Sequence, residues 1–343
     1  MYSFTNDYSE GAHPNILRSL MENNLNQNKG YGLDDHCVHA AQLIREQLGT
    51  ENVDIHFLTG GTQTNLIFIS SALRPHQAVI AATTGHINVH ETGAIEATGH
   101  KVLAMACTDG KVTPEVVLKA LDAHTDEHMV QPKMVYISNS TEVGTIYTKA
   151  DLEALNHICR QKHLYLYMDG ARLGSALTSS ANDLTLADIA SLTDAFYIGG
   201  TKNGALLGEA LVIVNDSLKE DFRYSMKQKG ALAAKGFVVG TQFEELFQNN
   251  LFFELPAHAN AMAAILKKGI EDCGFDFLTD SPTNQLFPIF PNSLVKELEK
   301  EYSFNVERII DANNTAIRLV TSWATPESAV SQFVADLKKL TGK

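Results

Sequence analysis

The segment LYLYMDGAR at residues 164–172 decides the fold class. It is a short run of apolar and aromatic residues that ends in a carboxylate, small residues and an arginine. Similar apolar runs recur at 53–59, 78–82, 101–106, 134–138, 195–198 and 210–214. Segments with helical spacing lie between them, at 63–72, 90–97, 114–123, 149–162 and 184–191. Short strands that are apolar on both faces and alternate with helices predict an α/β fold with a mainly parallel sheet covered by helices.

The pattern changes towards both ends of the chain. Residues 1–32 are polar and Asn/Gly-rich, which predicts an N-terminal arm with one short helix at 14–22, before a longer helix at 35–47. Residues 33–225 form the predicted large domain. Residues 226–343 are predicted to form a helical connection and a small α+β C-terminal domain. The predicted elements there are helical stretches at 226–249 and 255–271, a strand at 283–289, a helix at 293–300, a strand at 316–321 and a helix at 326–340.

Composition excludes several classes of protein. The 343 residues include 27 Lys and Arg against 40 Asp and Glu, a net charge of −13. This balance argues against nucleic acid or an anionic membrane surface as the main partner. No apolar run is long enough for a membrane-spanning helix, and the first residues do not resemble a secretory signal. The 4 cysteines are far apart, which predicts free thiols, no zinc site and a cytoplasmic location.

Ligands of parallel sheets bind beyond the carboxyl ends of the strands, and two such ends carry a turn and a flat side chain. Gly60, Gly61 and Thr62 follow one strand and open a helix, where backbone N–H groups can bind an anion. The alternative is a tight turn with a threonine cap. His86 follows the next strand and could stack on a flat ring or titrate, or it could only cap a helix.

Two further strand ends carry charged groups. Asp169 could be held ionised in the ligand crevice, or it could form a structural pair with Arg172. Lys202 lies in the loop GGTKNGA, where small residues leave room for a ligand. Burial would make its amine nucleophilic, whereas the alternative is a surface lysine on a turn. Together the four ends supply the groups that pyridoxal phosphate needs, namely an anion site, a ring-stacking residue, a carboxylate for the ring nitrogen and an amine for a Schiff base.

The sequence also resembles a known family. The segments DGARL at 169–173, GTK at 200–202, GGT at 60–62 and HINVHETG at 86–93 are similar to those of low-specificity L-threonine aldolases. These enzymes belong to the beta-eliminating lyases, which are pyridoxal phosphate enzymes of fold-type I. The resemblance implies an aspartate aminotransferase-like fold, and it extends through nearly the whole chain.

The resemblance assigns roles to individual residues. Lys202 would bind the cofactor aldehyde, Asp169 the ring nitrogen and His86 the ring face, with Gly61 and Thr62 at the phosphate. The other positions that it places at the cofactor or the substrate carboxylate are Thr201, Arg172, Arg318, Asn6 and Lys235. Of these, Arg172 and Arg318 would meet the carboxylate, Asn6 stands where the family usually has a serine, and Lys235 would reach a phosphate, from a neighbouring subunit.

One segment departs from the family pattern. Many members have Glu-Asn-Thr-His after the fourth predicted strand, whereas this chain has NSTEVG at 139–144. The histidine often assigned to the substrate hydroxyl is therefore missing. Glu142 is a candidate base in its place, and His90 is another. Either residue could instead only pack or cap a helix.

The expected activity is cleavage of L-threonine, L-allo-threonine and other L-3-hydroxy-amino acids to glycine and an aldehyde. The nearest alternative is another pyridoxal phosphate reaction on small amino acids, such as β-elimination or racemisation. A non-catalytic nucleotide-binding protein is a more distant alternative, because the chain lacks a dinucleotide fingerprint. The resemblance also implies a homodimer or homotetramer in which two chains complete each site.

Overall fold

The computed structural model describes all 343 residues. Its centre is a seven-stranded sheet with the order β2-β8-β7-β6-β5-β3-β4, in which only β8 runs antiparallel to its neighbours. The predicted mainly parallel sheet is therefore confirmed. The strands of this sheet are β2 (Asp54–Leu58), β3 (Gln77–Ala82), β4 (Lys101–Met105), β5 (Gln131–Ser138), β6 (Tyr165–Asp169), β7 (Ala195–Gly199) and β8 (Glu209–Ile213).

Helices cover both faces of this sheet. Strand β6 illustrates why, because Leu166 and Met168 lie in one hydrophobic core and Tyr167 lies in the other. Successive side chains of a strand point to opposite faces, so a strand that is apolar throughout needs cover on both sides. The first ten helices along the chain are α1 (Pro14–Glu22), α2 (Asp35–Leu48), α3 (Gly61–Ala72), α4 (His86–Val89), α5 (Pro114–Asp122), α6 (Lys149–Gln161), α7 (Leu173–Leu177), α8 (Leu186–Leu192), α9 (Phe222–Gln228) and α10 (Phe237–Gln248).

The C-terminal part has its own sheet and core. Its helices are α11 (Leu251–Asp272), α12 (Asn292–Leu298) and α13 (Glu327–Thr341). Its strands are β9 (Gln285–Leu286), β10 (Ile289–Pro291), β11 (Tyr302–Ser303), β12 (Asn305–Ile309) and β13 (Asn314–Val320). Strand β13 lies at the centre and pairs antiparallel with β9, β10 and β12.

The beginning of the chain joins this C-terminal part. Strand β1 (Tyr2–Ser3) pairs parallel with β11, and Phe4 is fully buried in the C-terminal core. The N-terminal segment therefore packs against residues about 300 positions away in the sequence. The predicted bounds of the domains stay a prediction.

Several predicted elements need correction. The helix expected at 90–97 is absent, because Thr92 and Gly93 have positive φ angles of 53° and 69° and interrupt it between α4 and a single 3₁₀ turn at Glu96–Thr98. The helical stretch expected at 226–249 is broken between α9 and α10, where Gly230 has a φ of 74°. The strand expected at 283–289 divides into β9 and β10. Strand β12 was not predicted, because most of its residues are exposed.

Candidate active site

The predicted site residues follow neighbouring strands. Asp169 ends β6, Lys202 lies in the loop between β7 and β8, and Glu142 follows β5. His86 follows β3 and opens α4, and Gly61 follows β2 and opens α3. Since β8 is antiparallel to both β2 and β7, β2 runs in the same direction as the parallel strands. The carboxyl ends of all five strands therefore lie at one edge of the sheet, as predicted.

Asp169 is buried and held by four hydrogen bonds. Its Oδ1 accepts from Tyr197 Oη at 2.5 Å and from the backbone N–H of Ala171 at 3.0 Å. Its Oδ2 accepts from Tyr136 Oη at 2.7 Å and from Asn65 Nδ2 at 3.0 Å. These donors leave an ionised carboxylate in one fixed orientation.

The charge on Asp169 is stabilised by its surroundings. Burial by itself raises the pKa of this carboxyl, but His86 and the hydrogen bonds from the tyrosines and Asn65 outweigh burial and lower it. The carboxylate therefore stays ionised and suits a partner that carries a proton.

His86 is fixed through both its backbone and its ring. Its backbone N–H donates to Oε1 of Glu142 at 2.9 Å. Its Nδ1 lies 2.8 Å from Oε1 of Glu91, whose side chain is completely buried, whereas the His86 ring is 33% exposed. The ring of His90 lies 5.5 Å from that of His86, centre to centre. The imidazole of His86 thus has one tethered edge and one open edge.

Glu142 occupies the loop where the family's histidine is missing. Its Oε1 accepts from the Ser138 hydroxyl at 2.7 Å as well as from His86. Burial raises the pKa of Glu142, and the hydrogen bonds only partly offset this effect. The structure therefore brings Glu142 to His86 and gives it a proton affinity above that of an exposed glutamate.

Lys202 has the environment that the sequence predicted. Burial lowers the pKa of its amine, and the nearby Arg172 lowers it further. Asp7, Asp169 and Glu209 oppose this effect. A buried amine beside a guanidinium is more nucleophilic at neutral pH than an exposed lysine.

Glu209 was missed from the sequence, although it stands at the start of an otherwise apolar strand. It is buried, and its Oε1 accepts from the Thr201 hydroxyl at 2.9 Å. Its Oε2 accepts from the backbone N–H of Gly200 at 3.2 Å. The Thr201 hydroxyl in turn accepts from the backbone N–H of Gly208 at 3.0 Å. Glu209 and Thr201 together fix the loop that carries Lys202.

Arg172 forms an ion pair that the sequence did not reveal. Its Nε and Nη2 donate to the two carboxylate oxygens of Asp7, at 2.7 and 3.0 Å. Asp7 is buried and also accepts from Asn284 Nδ2 at 2.9 Å. The three residues come from the N-terminal segment, the large domain and the C-terminal part. Asp7 directly follows Asn6, the residue that the sequence placed near the substrate carboxylate.

The side chain of Asn6 forms hydrogen bonds within its own turn. Its Oδ1 accepts from the backbone N–H of Tyr8 at 2.9 Å and from the Ser9 hydroxyl at 3.0 Å. The side chain therefore shapes the segment that presents Asp7 and Tyr8. The ring of Tyr8 lies with its centre 6.0 Å from the amine of Lys202.

Arg318 lies on β13 and pairs with no carboxylate. Its only hydrogen bond within the chain is a long one, 3.5 Å, to the backbone oxygen of Thr5, and its buried Nε has no partner. Burial lowers the pKa of the guanidinium, and Arg172 lowers it further. Arg318 lies near Arg172, and an unpaired guanidinium beside a second one favours an anionic ligand here.

The start of α3 has no side-chain cap. Gly60 precedes the helix, and no side chain caps it, so the first backbone N–H groups remain available. A Cβ atom on Gly61 would lie 2.9 Å from Tyr197 Oη, the hydroxyl that donates to Asp169. Glycine at this position therefore allows the helix start and the tyrosine to approach each other. Thr62 follows in the first turn.

Lys235 lies apart from these residues. It is exposed, in the loop between α9 and α10, and the neighbouring Ala234 accepts from the backbone N–H of Tyr31 at 3.3 Å. This loop packs against the Gly30–Gly32 turn of the same chain. Within one chain, the structure does not bring Lys235 to the site.

The residues present fit pyridoxal phosphate. The buried carboxylate of Asp169 matches a protonated ring nitrogen, and the uncapped start of α3 matches a phosphate. The orphaned Nε of Arg318 points to an anion that is not part of the chain. Lys202, an amine whose pKa is lowered by burial and by the nearby Arg172, shares this region with Asp7, Asp169 and Glu209.

Comparison with known proteins identifies the family. The Beta-eliminating lyase model matches residues 11–291. This chain belongs to the beta-eliminating lyase family. The match also speaks against a non-catalytic nucleotide-binding protein.

Individual relatives agree with this assignment. A threonine aldolase of Leishmania major is 55% identical, with a TM-score of 0.98 over 99% of this chain and 100% of that chain. A low specificity L-threonine aldolase of a Pseudomonas species is 29% identical over 98% of this chain and 96% of its own length. An aspartate aminotransferase of Thermus thermophilus, 14% identical, has a TM-score of 0.73 over 99% of this chain and 91% of its own, which shows the fold alone.

The predicted fold-type I architecture is therefore confirmed, as are the cofactor and the enzyme class. This beta-eliminating lyase is a pyridoxal phosphate-dependent enzyme. None of its helices is both long and apolar enough to cross a membrane. The roles of the individual site residues stay predictions.

Proposed function

We propose that this lyase cleaves L-threonine, L-allo-threonine and other L-3-hydroxy-amino acids to glycine and an aldehyde. The full-length similarity to the Leishmania threonine aldolase, at 55% identity, carries the proposal. The unpaired Arg318 near Arg172 supports it, because an amino-acid substrate brings a carboxylate that an unpaired guanidinium can bind.

Four groups would hold the cofactor. The Lys202 amine would bind its aldehyde carbon, Asp169 its ring nitrogen, His86 its ring face and the start of α3, with Gly61 and Thr62, its phosphate. When bound, pyridoxal phosphate supplies an electron sink for the carbanion that remains when the Cα–Cβ bond breaks. Asp169 would serve that sink electrostatically, because an ionised partner keeps the ring nitrogen protonated.

The arginines would orient the substrate. Arg318 has donors without an anionic partner, so it would bind the α-carboxylate directly. Arg172 already donates to Asp7 through two nitrogens, and would add positive charge near the substrate carboxylate. A carboxylate fixed at this position limits rotation of the substrate and sets the direction of its Cα–Cβ bond.

Glu142 would take the proton of the β-hydroxyl. As that proton leaves, the hydroxyl oxygen becomes the aldehyde carbonyl, the Cα–Cβ bond breaks, and a proton delivered to Cα completes glycine. A base works best when its pKa lies near the working pH, and burial moves the pKa of Glu142 in that direction. His90 is a weaker candidate. Its side chain is largely exposed, and desolvation of its ring together with the nearby His86 lowers its pKa.

The acid side of the pH profile tests this assignment. We expect kcat to fall as the pH drops through the raised pKa of Glu142, because the protonated acid cannot accept a proton. In Glu142→Gln this limb should vanish, with a loss of about 10²- to 10⁴-fold in rate. His90→Gln is the matched comparison. It should keep the wild-type kcat and the fall in kcat on the acid side of the pH profile. A Glu142→Gln enzyme with the wild-type profile would exclude Glu142 as the base.

The reaction itself is tested by its products. Purified enzyme supplied with pyridoxal phosphate is incubated with L-threonine, L-allo-threonine and L-serine, and glycine, acetaldehyde, pyruvate and ammonia are measured. Equal amounts of glycine and acetaldehyde from threonine support the proposal. Ammonia and an oxo acid would indicate β-elimination instead, and a racemised amino acid would indicate the other alternative.

We further propose that the working form is a cytoplasmic homodimer, or a homotetramer made of two such dimers. Lys235 supports the shared site, because it is exposed and its loop lies beside the exposed apolar side chains of Tyr31, Leu33 and Val38. If a second copy of the chain covers this surface, Lys235 of one chain would reach the phosphate site of the other chain. The four free cysteines agree with a reducing compartment.

Subunit exchange tests the shared site. Lys202→Ala and Lys235→Ala chains are prepared separately and mixed, if each alone is inactive. Mixed dimers should regain part of the activity, because one of their two sites would have both lysines intact. An active monomer in light scattering, or no recovery despite proven exchange, would contradict the proposal.

A further inference from the structure

Next to His86 lies a buried carboxylate, Glu91, that has no role in the proposed reaction. The side chain of Glu91 is completely buried. Its Oε1 lies 2.8 Å from His86 Nδ1 and accepts from Asn65 Nδ2, also at 2.8 Å. Its Oε2 is buried without any hydrogen-bond partner. A buried charge with an unsatisfied oxygen is unfavourable for folding, so packing does not explain its presence.

Asn65 connects this carboxylate to the one expected at the ring nitrogen. The same Nδ2 group donates to Glu91 and to Asp169, at 2.8 and 3.0 Å. Its Oδ1 accepts from the Tyr167 hydroxyl at 3.0 Å. The amide uses both hydrogens on carboxylates, which can only accept, so its orientation cannot reverse without losing both of these bonds.

This arrangement determines where the proton of His86 lies. Oε1 of Glu91 already accepts one hydrogen bond, from Asn65, and its second neighbour is Nδ1 of His86. An ionised carboxylate oxygen can only accept hydrogen bonds, so the hydrogen between it and the imidazole is carried by the ring. His86 is thus the donor at Nδ1. Its Nε2 makes no hydrogen bond within the chain and lies on the more open edge of the ring.

We infer that Glu91 is a positioning residue that holds His86 in its Nδ1–H form, so that the open Nε2 edge accepts a hydrogen bond from the bound substrate or cofactor. A carboxylate behind a histidine sets the orientation and tautomer of the ring in many sites. Here Asn65 ties that carboxylate to Asp169, so the residue expected at the ring face and the residue expected at the ring nitrogen share one support. The inference deepens the proposed function and rests on it for its kinetic measurement.

Two substitutions separate the parts of this role. Glu91→Gln keeps an oxygen that can accept from both Asn65 and His86, but it removes the charge. Glu91→Met has a similar size and removes the acceptor altogether. Glu96→Gln is the matched control, because Glu96 is an exposed carboxylate five positions further along the chain.

The tautomer is read directly by nuclear magnetic resonance. Holoenzyme labelled with ¹⁵N in its 13 histidines is compared with a His86→Gln sample, which identifies the signals of His86. We expect protonated Nδ1 and unprotonated Nε2 in the wild type, in Glu91→Gln and in Glu96→Gln. In Glu91→Met the Nε2–H form should appear. A wild type with Nε2–H, or Glu91→Met with an unchanged ring, would overturn the inference.

Kinetics supply the second reading. We expect kcat with L-threonine to decrease in the order wild type, Glu91→Gln, Glu91→Met, with the last about 10- to 100-fold below wild type and with bound cofactor retained. Loss of activity in Glu91→Met without a change of tautomer would contradict the inference. If instead the wild type does not cleave threonine while the tautomer follows Glu91, the proposed function fails and the inference stands.

Discussion

The two ends of the site are built in different ways. The end expected at the ring nitrogen is made from adjacent strands of one sheet and one helix. Asp169 on β6 accepts hydrogen bonds from Tyr136 on β5, Tyr197 on β7 and Asn65 on α3. The end expected at the substrate carboxylate joins distant parts of the chain, with Asp7 and Arg318 about 310 residues apart. The first end is part of the core, whereas the second exists only when the N-terminal segment and the C-terminal part have docked.

This difference implies two kinds of mutational effect. Changes at the ring-nitrogen end should alter the rate in an enzyme that remains folded. At the substrate end, changes that break the Arg172–Asp7 pair should lower stability. Changes that remove the unpaired Arg318 should weaken substrate binding.

Lys202→Ala should abolish turnover and leave the fold intact, because Lys202 is the amine expected to bind the cofactor aldehyde and lies in a loop of small residues. Aldehyde release from L-threonine measures turnover, and circular dichroism measures folding. Lys296→Ala is the control, since Lys296 is an exposed lysine on α12. Wild-type activity in Lys202→Ala would rule out the proposed chemistry.

Asp7→Asn should destabilise the protein strongly, because it leaves Arg172 buried without its carboxylate. Breaking a buried ion pair costs about 3–5 kcal/mol of unfolding free energy. Urea denaturation at neutral pH measures this loss. Asp54→Asn, at a half-buried aspartate on β2 without an ion pair, is the comparison and should cost far less.

The same substitution should change the pH dependence of stability. Burial raises the pKa of Asp7, but the ion pair with Arg172, aided by Lys202, lowers it overall. The stabilisation is therefore complete above the usual carboxyl pKa and disappears as the pH falls through the lower folded value. Wild type should lose more stability on acidification than Asp7→Asn. Equal losses in the two proteins would show that the pair is not the source.

Asp169→Asn should lower the rate by about 100-fold, or about 3 kcal/mol, because removal of one preorganised charge commonly has this effect. Bound cofactor should decrease far less than kcat. Tyr197→Phe, which removes one of the hydrogen bonds to Asp169, should give a smaller loss in the same direction. If Asp169→Asn lost cofactor and kept its rate, Asp169 would be a binding residue only.

Arg318→Met should mainly raise KM for L-threonine, because it removes the free guanidinium expected at the α-carboxylate. Hydrogen bonds to charged groups contribute about 1.5–3 kcal/mol, which corresponds to a decrease of about 10- to 100-fold in kcat/KM. Arg308→Met, at an exposed arginine on β12, is the control. An unchanged KM would place the carboxylate elsewhere.

The contrast between the two ends also explains what could be predicted from the sequence. Asp169, His86 and Lys202 follow apolar runs, and the rule that ligands bind at strand ends located them. The tyrosines that hold Asp169 looked like ordinary core residues, because only the register of β5, β6 and β7 shows that their hydroxyls reach it. Asp7 gave no signal, since its partner Arg172 is 165 positions away.

Elements were predicted where periodicity and burial agree, and missed where they do not. Helix α6 begins at Lys149, as predicted, and a capping box between Thr148 and Asp151 fixes that start. Strand β12 is exposed and carries no alternating apolar pattern, so its pairing with β13 decides its structure. Positive φ angles at Thr92 and Gly93 interrupt a segment whose spacing had predicted a continuous helix.

Borohydride reduction of the holoenzyme shows which lysine binds pyridoxal phosphate. This reagent makes the bond between a lysine and pyridoxal phosphate permanent, and peptide mass mapping then locates the modified residue. We expect one modified peptide, with the added mass on Lys202, and parallel loss of glycine and acetaldehyde formation from L-threonine. A modification on another lysine, or an unmodified protein that still cleaves threonine, would contradict the site described for this enzyme.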